Sequence, residues 1–110
     1  MTEPWGVKGA EAAKADRRRS HELINTYHQE QLRLLLERVR DGFAQLDAGV
    51  IDEFDLDEIV HHYKKAAAEL WKFCGSSGGQ WEHAAHALGY LRQRGEEPDW
   101  WDRVASRRGQ

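Results

Sequence analysis

The sequence predicts an all-α fold, a small helical bundle of three main helices plus a short C-terminal helix. The clearest signal lies between residues 54 and 95, where two stretches of helical apolar spacing flank the glycine-rich segment 75–79. One face of the first stretch carries Leu56, Ile59, Val60, Tyr63, Ala67, Leu70 and Cys74. No run with the alternating pattern of a β-strand occurs, and the sequence has no internal repeat.

Length and composition restrict the class of protein. A chain of 110 residues, with 40% hydrophobic and 32% charged residues, suits one domain with one core. Its apolar runs are too short to cross a membrane, and the first twenty residues lack the apolar segment of a secretory signal. Cys74 is the single cysteine, so no internal disulfide can form. We therefore expect a cytoplasmic protein with no membrane segment.

The first main helix is predicted to start at Ser20, which can act as its N-cap, and to run to about Asp47. Residues 1–19 are predicted to form a flexible or partly helical N-terminal arm, and residues 20–110 a single helical domain. The second half of the helix carries a stripe that we expect to pack in the core: Leu32, Leu35, Leu36, Val39, Phe43 and Leu46.

The first half of this helix is less regular. Leu23, Ile24 and Tyr27 lie on a face that is rotated from the later stripe, and polar residues separate the two. This rotation predicts a bend or a change of packing partner.

Start and stop signals define the second helix. Asp55 is expected to cap it in a capping box with Glu58, while Phe54 and Ile59 are placed to form a hydrophobic staple. Gly75 is expected to end it in a left-handed conformation. The connection to the first helix is short, so the two helices are predicted to be antiparallel neighbours.

The third helix is predicted to run from about 78 to 94, preceded by a capping box of Ser77 and Gln80. Gly89 lies four residues after Ala85 on the same helix. Glycine inside a helix costs about 1 kcal/mol relative to alanine, so we expect another helix to approach closely at Gly89. The predicted core face consists of Trp81, Ala84, Ala85, Leu88 and Leu91.

Aromatic residues give the strongest functional signal. After Gly95, Pro98 is expected to begin a short fourth helix that carries Trp100 and Trp101. Phe73 and Trp81 lie on either side of the turn between the second and third helices. The C-terminal segment could cover these rings in a small core, or they could form an exposed patch that docks a partner. We predict four partner-binding residues: Phe73, Trp81, Trp100 and Trp101.

The six histidines raise the question of a metal site or an enzyme. His83 and His86 could chelate a metal together, and Glu58 with His61 matches one element of di-metal helical bundles. Those bundles need a second such element, which the sequence lacks, so we predict no metal and no cofactor. The alternative is a small helical enzyme or metal-binding protein that uses an edge formed by His83, His86 and Tyr90.

Charge is unevenly distributed along a chain whose net charge is −3. Residues 47–58 hold six acids and no base, while Arg17, Arg18 and Arg19 form a basic cluster, and these opposite charges could attract. The third helix has no lysine or arginine before Arg92, which argues against nucleic acid as a partner. The sequence contains no nucleophile elbow or P-loop. We therefore predict a non-enzymatic helical interaction module that associates with another protein or, more specifically, with itself.

Overall fold

The computed structural model describes residues 5–75 and 78–104 of the chain. These residues form α1 (Trp5–Asp47), α2 (Glu53–Cys74), α3 (Gly78–Arg94) and α4 (Trp100–Arg103), with no strand in either range. The predicted all-α class, with three main helices and a short C-terminal one, is confirmed. Across the same two ranges, no helix is both long enough and apolar enough to span a membrane.

The longest element is α1, whose 43 residues extend over about 65 Å at 1.5 Å per residue. Ser20 lies inside this helix, so its prediction as the N-cap is wrong. The reason is local, because residues 10–19 are rich in strong helix formers and Arg19 pairs with Asp16 one turn earlier. The helix therefore runs unbroken through residue 19, so the described part of the predicted arm is helical.

The start of α2 lies one turn earlier than predicted. The backbone N–H of Asp55 donates to Asp52 Oδ1 at 2.9 Å, and the N–H of Asp52 donates to Asp55 Oδ2 at 3.1 Å. Asp52 is therefore the N-cap, and Asp55 plays the part that the sequence assigns to Glu58. Phe54 is exposed, so the predicted staple with Ile59 does not form.

The ends of α2 and α3 lie where the glycines predict them. Gly75 follows α2 with a φ of +74°, and its N–H donates to the carbonyl oxygen of Trp71 at 3.0 Å. Gly95 follows α3 with a φ of +67°. Both values lie in the region that glycine adopts without strain. The predicted capping box of Ser77 and Gln80 lies outside the described side chains.

The short helix α4 begins at Trp100, two residues after the predicted start at Pro98. Asp99 is its N-cap, because the side chain of Asp99 accepts a hydrogen bond from the N–H of Asp102 at 3.1 Å.

The core lies where α3 and α4 pack on the long α1–α2 hairpin. Its buried residues come from all four helices: Ile24, Tyr27, Leu35, Ala66, Leu70, Cys74, Ala84, Leu88 and Trp100. Burial of Leu70 is as predicted, whereas Val60 is only half-buried. Burial raises the pKa of the Cys74 thiol to about 11, which keeps it a neutral core residue.

The predicted stripe in the second half of α1 is only partly in the core: Leu35 is buried, and Leu32, Val39 and Leu46 are half-buried. Ile24 and Tyr27, on the face without a clear partner, are fully buried. Leu36 and Phe43, which the sequence predicts to be core residues, are 50% and 51% exposed. The prediction fails for these two residues because nothing in the described part of the chain packs over that side of α1.

Close approach between helices occurs at Gly42 and not at Gly89. A Cβ atom at Gly42 would lie 2.9 Å from Leu56 Cδ1 and 3.2 Å from Ile59 Cδ1, so a larger residue there would have to displace the ends of these two side chains. A Cβ atom at Gly89 would meet nothing within 4 Å, and the predicted helix contact there is wrong.

Candidate protein-interaction site

Two of the four predicted partner-binding residues pack inside the fold. Trp100 is 3% exposed, and its Nε1–H donates to the Tyr27 hydroxyl at 2.8 Å. The Phe73 ring lies 5.3 Å from the Trp100 ring and 6.0 Å from the Tyr27 ring, centroid to centroid. Desolvation raises the pKa of Tyr27, although the hydrogen bond from Trp100 acts in the opposite direction. These rings form the small aromatic core that the sequence leaves open as an alternative.

The third predicted residue, Trp101, joins α4 to both long helices. Its ring lies 4.1 Å from the His62 ring, and His62 Nε2–H donates to the Trp101 carbonyl oxygen at 2.6 Å. The Arg38 guanidinium of α1 lies 5.3 Å from the Trp101 ring centroid. Trp100 and Trp101 therefore point in different directions, and Trp101 keeps part of its surface exposed.

The fourth residue, Trp81, stacks on His21 of α1 with a centroid separation of 3.8 Å. Nearby, the edge of the His28 ring contacts Trp71, which is 53% exposed, at 4.4 Å. His28 Nε2 is buried with no hydrogen-bond partner in the described part of the molecule. Burial lowers the pKa of His28, so the ring is held neutral. Trp81 and Trp71 thus lie on the same side of α1, where they contact His21 and His28.

Exposed apolar side chains also lie on the side of the hairpin away from α4. Helix α4 contacts Arg38 of α1 and His62 of α2. Leu36 is two residues from Arg38, about 200° around the helix, and Trp71 is nine residues from His62, about 180° around. Leu36 and Trp71 therefore both point away from α4.

We call this surface the open face. Its exposed members are Leu36, Phe43 and Trp71, and its half-buried members are Leu32, Val39 and Val60. Phe43 lies seven residues after Leu36, and Trp71 lies eleven residues after Val60, so each pair shares a side of its helix. Monomeric proteins rarely leave large adjoining apolar side chains exposed without a binding role.

Charged residues lie on the same side of α1 as the open face, before it and after it along the helix. Lys14 precedes Leu32, and Arg18 precedes Leu36, by 18 residues, which is about five full turns. Asp47 follows Leu36 by eleven residues and returns to nearly the same side. Lys14 and Arg18 therefore lie before the apolar part of this side of α1, and Asp47 lies after it, over about 50 Å. Other charged residues of both signs lie within about 40° of the same line: Glu11, Glu22 and Arg40.

The histidine edge of α3 faces solvent. His83, His86 and Tyr90 are exposed. Within the described ranges, no three or more histidine, cysteine, aspartate or glutamate side chains come together in a geometry that could hold a metal. His61, in the other candidate motif, is exposed and lies 3.9 Å from Asp57. The enzyme and metal-binding alternative stays a prediction with no support from this arrangement.

Sequence analysis did not assign Leu36, Phe43 or Trp71 to a binding surface. One signal could have done so: Ile24 and Gly42 are 18 residues apart and share one side of α1, which marks the face that meets α2. Leu36 and Phe43 lie about 100° or more from that face.

Comparison with known proteins gives no match. No protein-family model matches the chain, and no curated protein or solved structure is significantly similar to it.

Proposed function

We propose that this protein is a non-enzymatic helical interaction module that binds a second copy of itself through the open face. The observation that carries the proposal is the exposure of Leu36, Phe43 and Trp71 on the side of the hairpin that faces away from α4. Removing apolar surface from water contributes about 25 cal/mol per Å², so covering three large side chains favours association.

The exposed aromatic residues of the open face have the chemistry expected of interface anchors. Tryptophan and other large aromatic residues contribute most of the binding energy in many interfaces, especially when half-buried neighbours exclude water around them. Trp71 and Phe43 fit this description, and Leu32, Val39 and Val60 provide the surrounding apolar surface.

Of the four partner-binding residues predicted from the sequence, only one keeps that role in the proposal. Trp81 stays a proposed partner-binding residue because it stacks on the same side of α1 that carries Lys14 and Arg18. Phe73, Trp100 and Trp101 already contact aromatic or cationic groups of their own chain, and their partner-binding role has no further support. A reduced, buried Cys74 is compatible with the proposed cytoplasmic location.

Equilibrium sedimentation of the full chain tests the proposal. We expect wild-type protein to show a concentration-dependent increase in mass from one copy to two. Leu36→Glu should weaken dimerisation at least tenfold, because a buried carboxylate in an apolar contact has no partner.

Leu34→Glu is the matched control. Leu34 is a leucine of the same helix with similar exposure, 54%, but it lines the groove beside Trp100 and Trp101 on the opposite side. It should leave the dimerisation constant unchanged. A wild-type protein that stays monomeric up to millimolar concentration, or a control that weakens association as much as Leu36→Glu, would exclude the open face as a self-association surface.

A further inference from the structure

We infer that the two copies pair antiparallel along α1, with the basic end of each open face on the acidic end of the other. This inference rests on the proposed self-association and adds its direction and register. It follows from the opposite charges at the two ends of the open face.

Charge sets the direction. Arg18 and Asp47 share one side of α1 but are 29 residues apart, about 43 Å along the helix. This distance is several times the Debye length of about 8 Å at physiological ionic strength, so the two ends cannot neutralise each other within one chain. A parallel pair would place Arg18 beside Arg18 and Asp47 beside Asp47. An antiparallel pair places each base beside an acid at both ends.

Matching Arg18 with Asp47 of the second copy fixes the register. The two-fold axis then passes close to residues 32 and 33 of α1, and residues whose numbers add to about 65 lie opposite each other. Trp71 is level with His28, as their ring contact at 4.4 Å shows. It therefore lies at the level of residue 37 of the second copy.

The same register gives Phe43 a neighbour. Residue 43 lies opposite Glu22 of the second copy, whose neighbour His21 stacks on Trp81. Lys14 and Arg18, which line a shallow groove with Trp81, then lie near the acidic start of α2 of the second copy, which includes Glu53.

Distance measurement between spin labels tests the direction. Ala44 is exposed and lies off the open face, so Ala44→Cys can carry a nitroxide label without entering the contact. The native Cys74 is buried with its pKa raised to about 11, so it should not react at neutral pH, and unsubstituted protein treated in the same way is the blank. We expect a label separation of about 35 Å in the dimer, from about 23 residues of axial offset.

The outcomes separate the two proposals. A separation of about 35 Å supports the antiparallel pair. A separation below about 20 Å in a dimer that Leu36→Glu disrupts overturns the antiparallel inference and leaves the proposed function standing. Absence of any dimer, or capture of the face by a different partner only, overturns both.

Charge reversal gives a second test that does not depend on the label. The variant Lys14→Glu with Arg18→Glu should dimerise at least tenfold more weakly than wild type, and Asp47→Lys with Glu53→Lys should do the same. A mixture of the two variants should recover association, because each reversed end then meets its complement. Equal affinities for the mixture and for each variant alone would overturn the antiparallel register, as would wild-type association that strengthens with added salt.

Discussion

The two sides of the α1–α2 hairpin use the same kinds of residue and differ in burial. On the covered side, α3 and α4 pack over Ile24, Tyr27 and Leu70, and these side chains are fully buried. On the open face, Leu36 and Phe43 have α2 beside them but no third helix above them, and each stays half exposed. A helical apolar stripe thus predicts which residues could be buried, whereas the helix that packs over the stripe determines which residues are buried.

Glycine shows the same contrast at a smaller scale. Gly42 sits where two helices touch, and Gly89 faces open space, although each interrupts an amphipathic helix in the sequence. Each glycine destabilises its helix by a similar amount relative to alanine. Only at Gly42 does a close contact between helices account for the glycine.

The largest expected difference between the two sides is in stability. Leu70→Ala should lower the free energy of unfolding by about 2 to 5 kcal/mol, because it leaves a cavity under covering helices. Leu36→Ala should lower it by less than about 1 kcal/mol, since the side chain is already half in water. Urea unfolding at low micromolar concentration, where association is minimal, measures both. Equal losses at the two residues would show that the two sides do not differ in packing.

A smaller effect is expected from the buried hydrogen bond that ties α4 to α1. Tyr27→Phe removes the acceptor for Trp100 Nε1–H and leaves that donor buried without a partner. The expected loss is about 1 to 3 kcal/mol in the same unfolding experiment. The matched change Tyr90→Phe, at an exposed tyrosine, should alter stability by no more than about 0.5 kcal/mol. A neutral Tyr27→Phe would mean that α4 is held by ring packing alone.

The smallest effect separates the two glycines. Gly89→Ala should stabilise the fold by about 0.5 to 1 kcal/mol, because alanine favours the helix and the new methyl group meets no atom. Gly42→Ala should give no such gain, since its methyl group must displace the side-chain ends of Leu56 and Ile59. Thermal unfolding of the two variants resolves the difference. Equal stabilisation of both would contradict the close contact at Gly42.

Local signals predicted the helices well. The positive-φ glycines Gly75 and Gly95 mark the ends of α2 and α3, and the spacing around Leu70 identifies its buried face. These features depend on residues within a few turns of one another, so a sequence can specify them.

The surface could not be predicted in the same way. Whether Leu36 is covered depends on where α4 docks, and that is decided by Trp100 and Trp101, more than 60 residues away. The aromatic residues in the sequence indicated where the small aromatic core forms. The exposed apolar face lies on a different side of the hairpin. The competing N-caps Asp52 and Asp55 show the same limit locally, because both fit a capping pattern.

Hydroxyl-radical footprinting at rising protein concentration tests the central claim most directly, since it reports the solvent exposure of individual side chains. We expect Leu36, Phe43 and Trp71 to be oxidised readily in dilute protein and to become protected as concentration rises, while Tyr27 and Trp100 stay protected throughout. Oxidation of Leu36, Phe43 and Trp71 that is independent of concentration would contradict pairing through the open face. Strong protection of Leu36 and Phe43 already in the monomer would contradict the difference between the two sides.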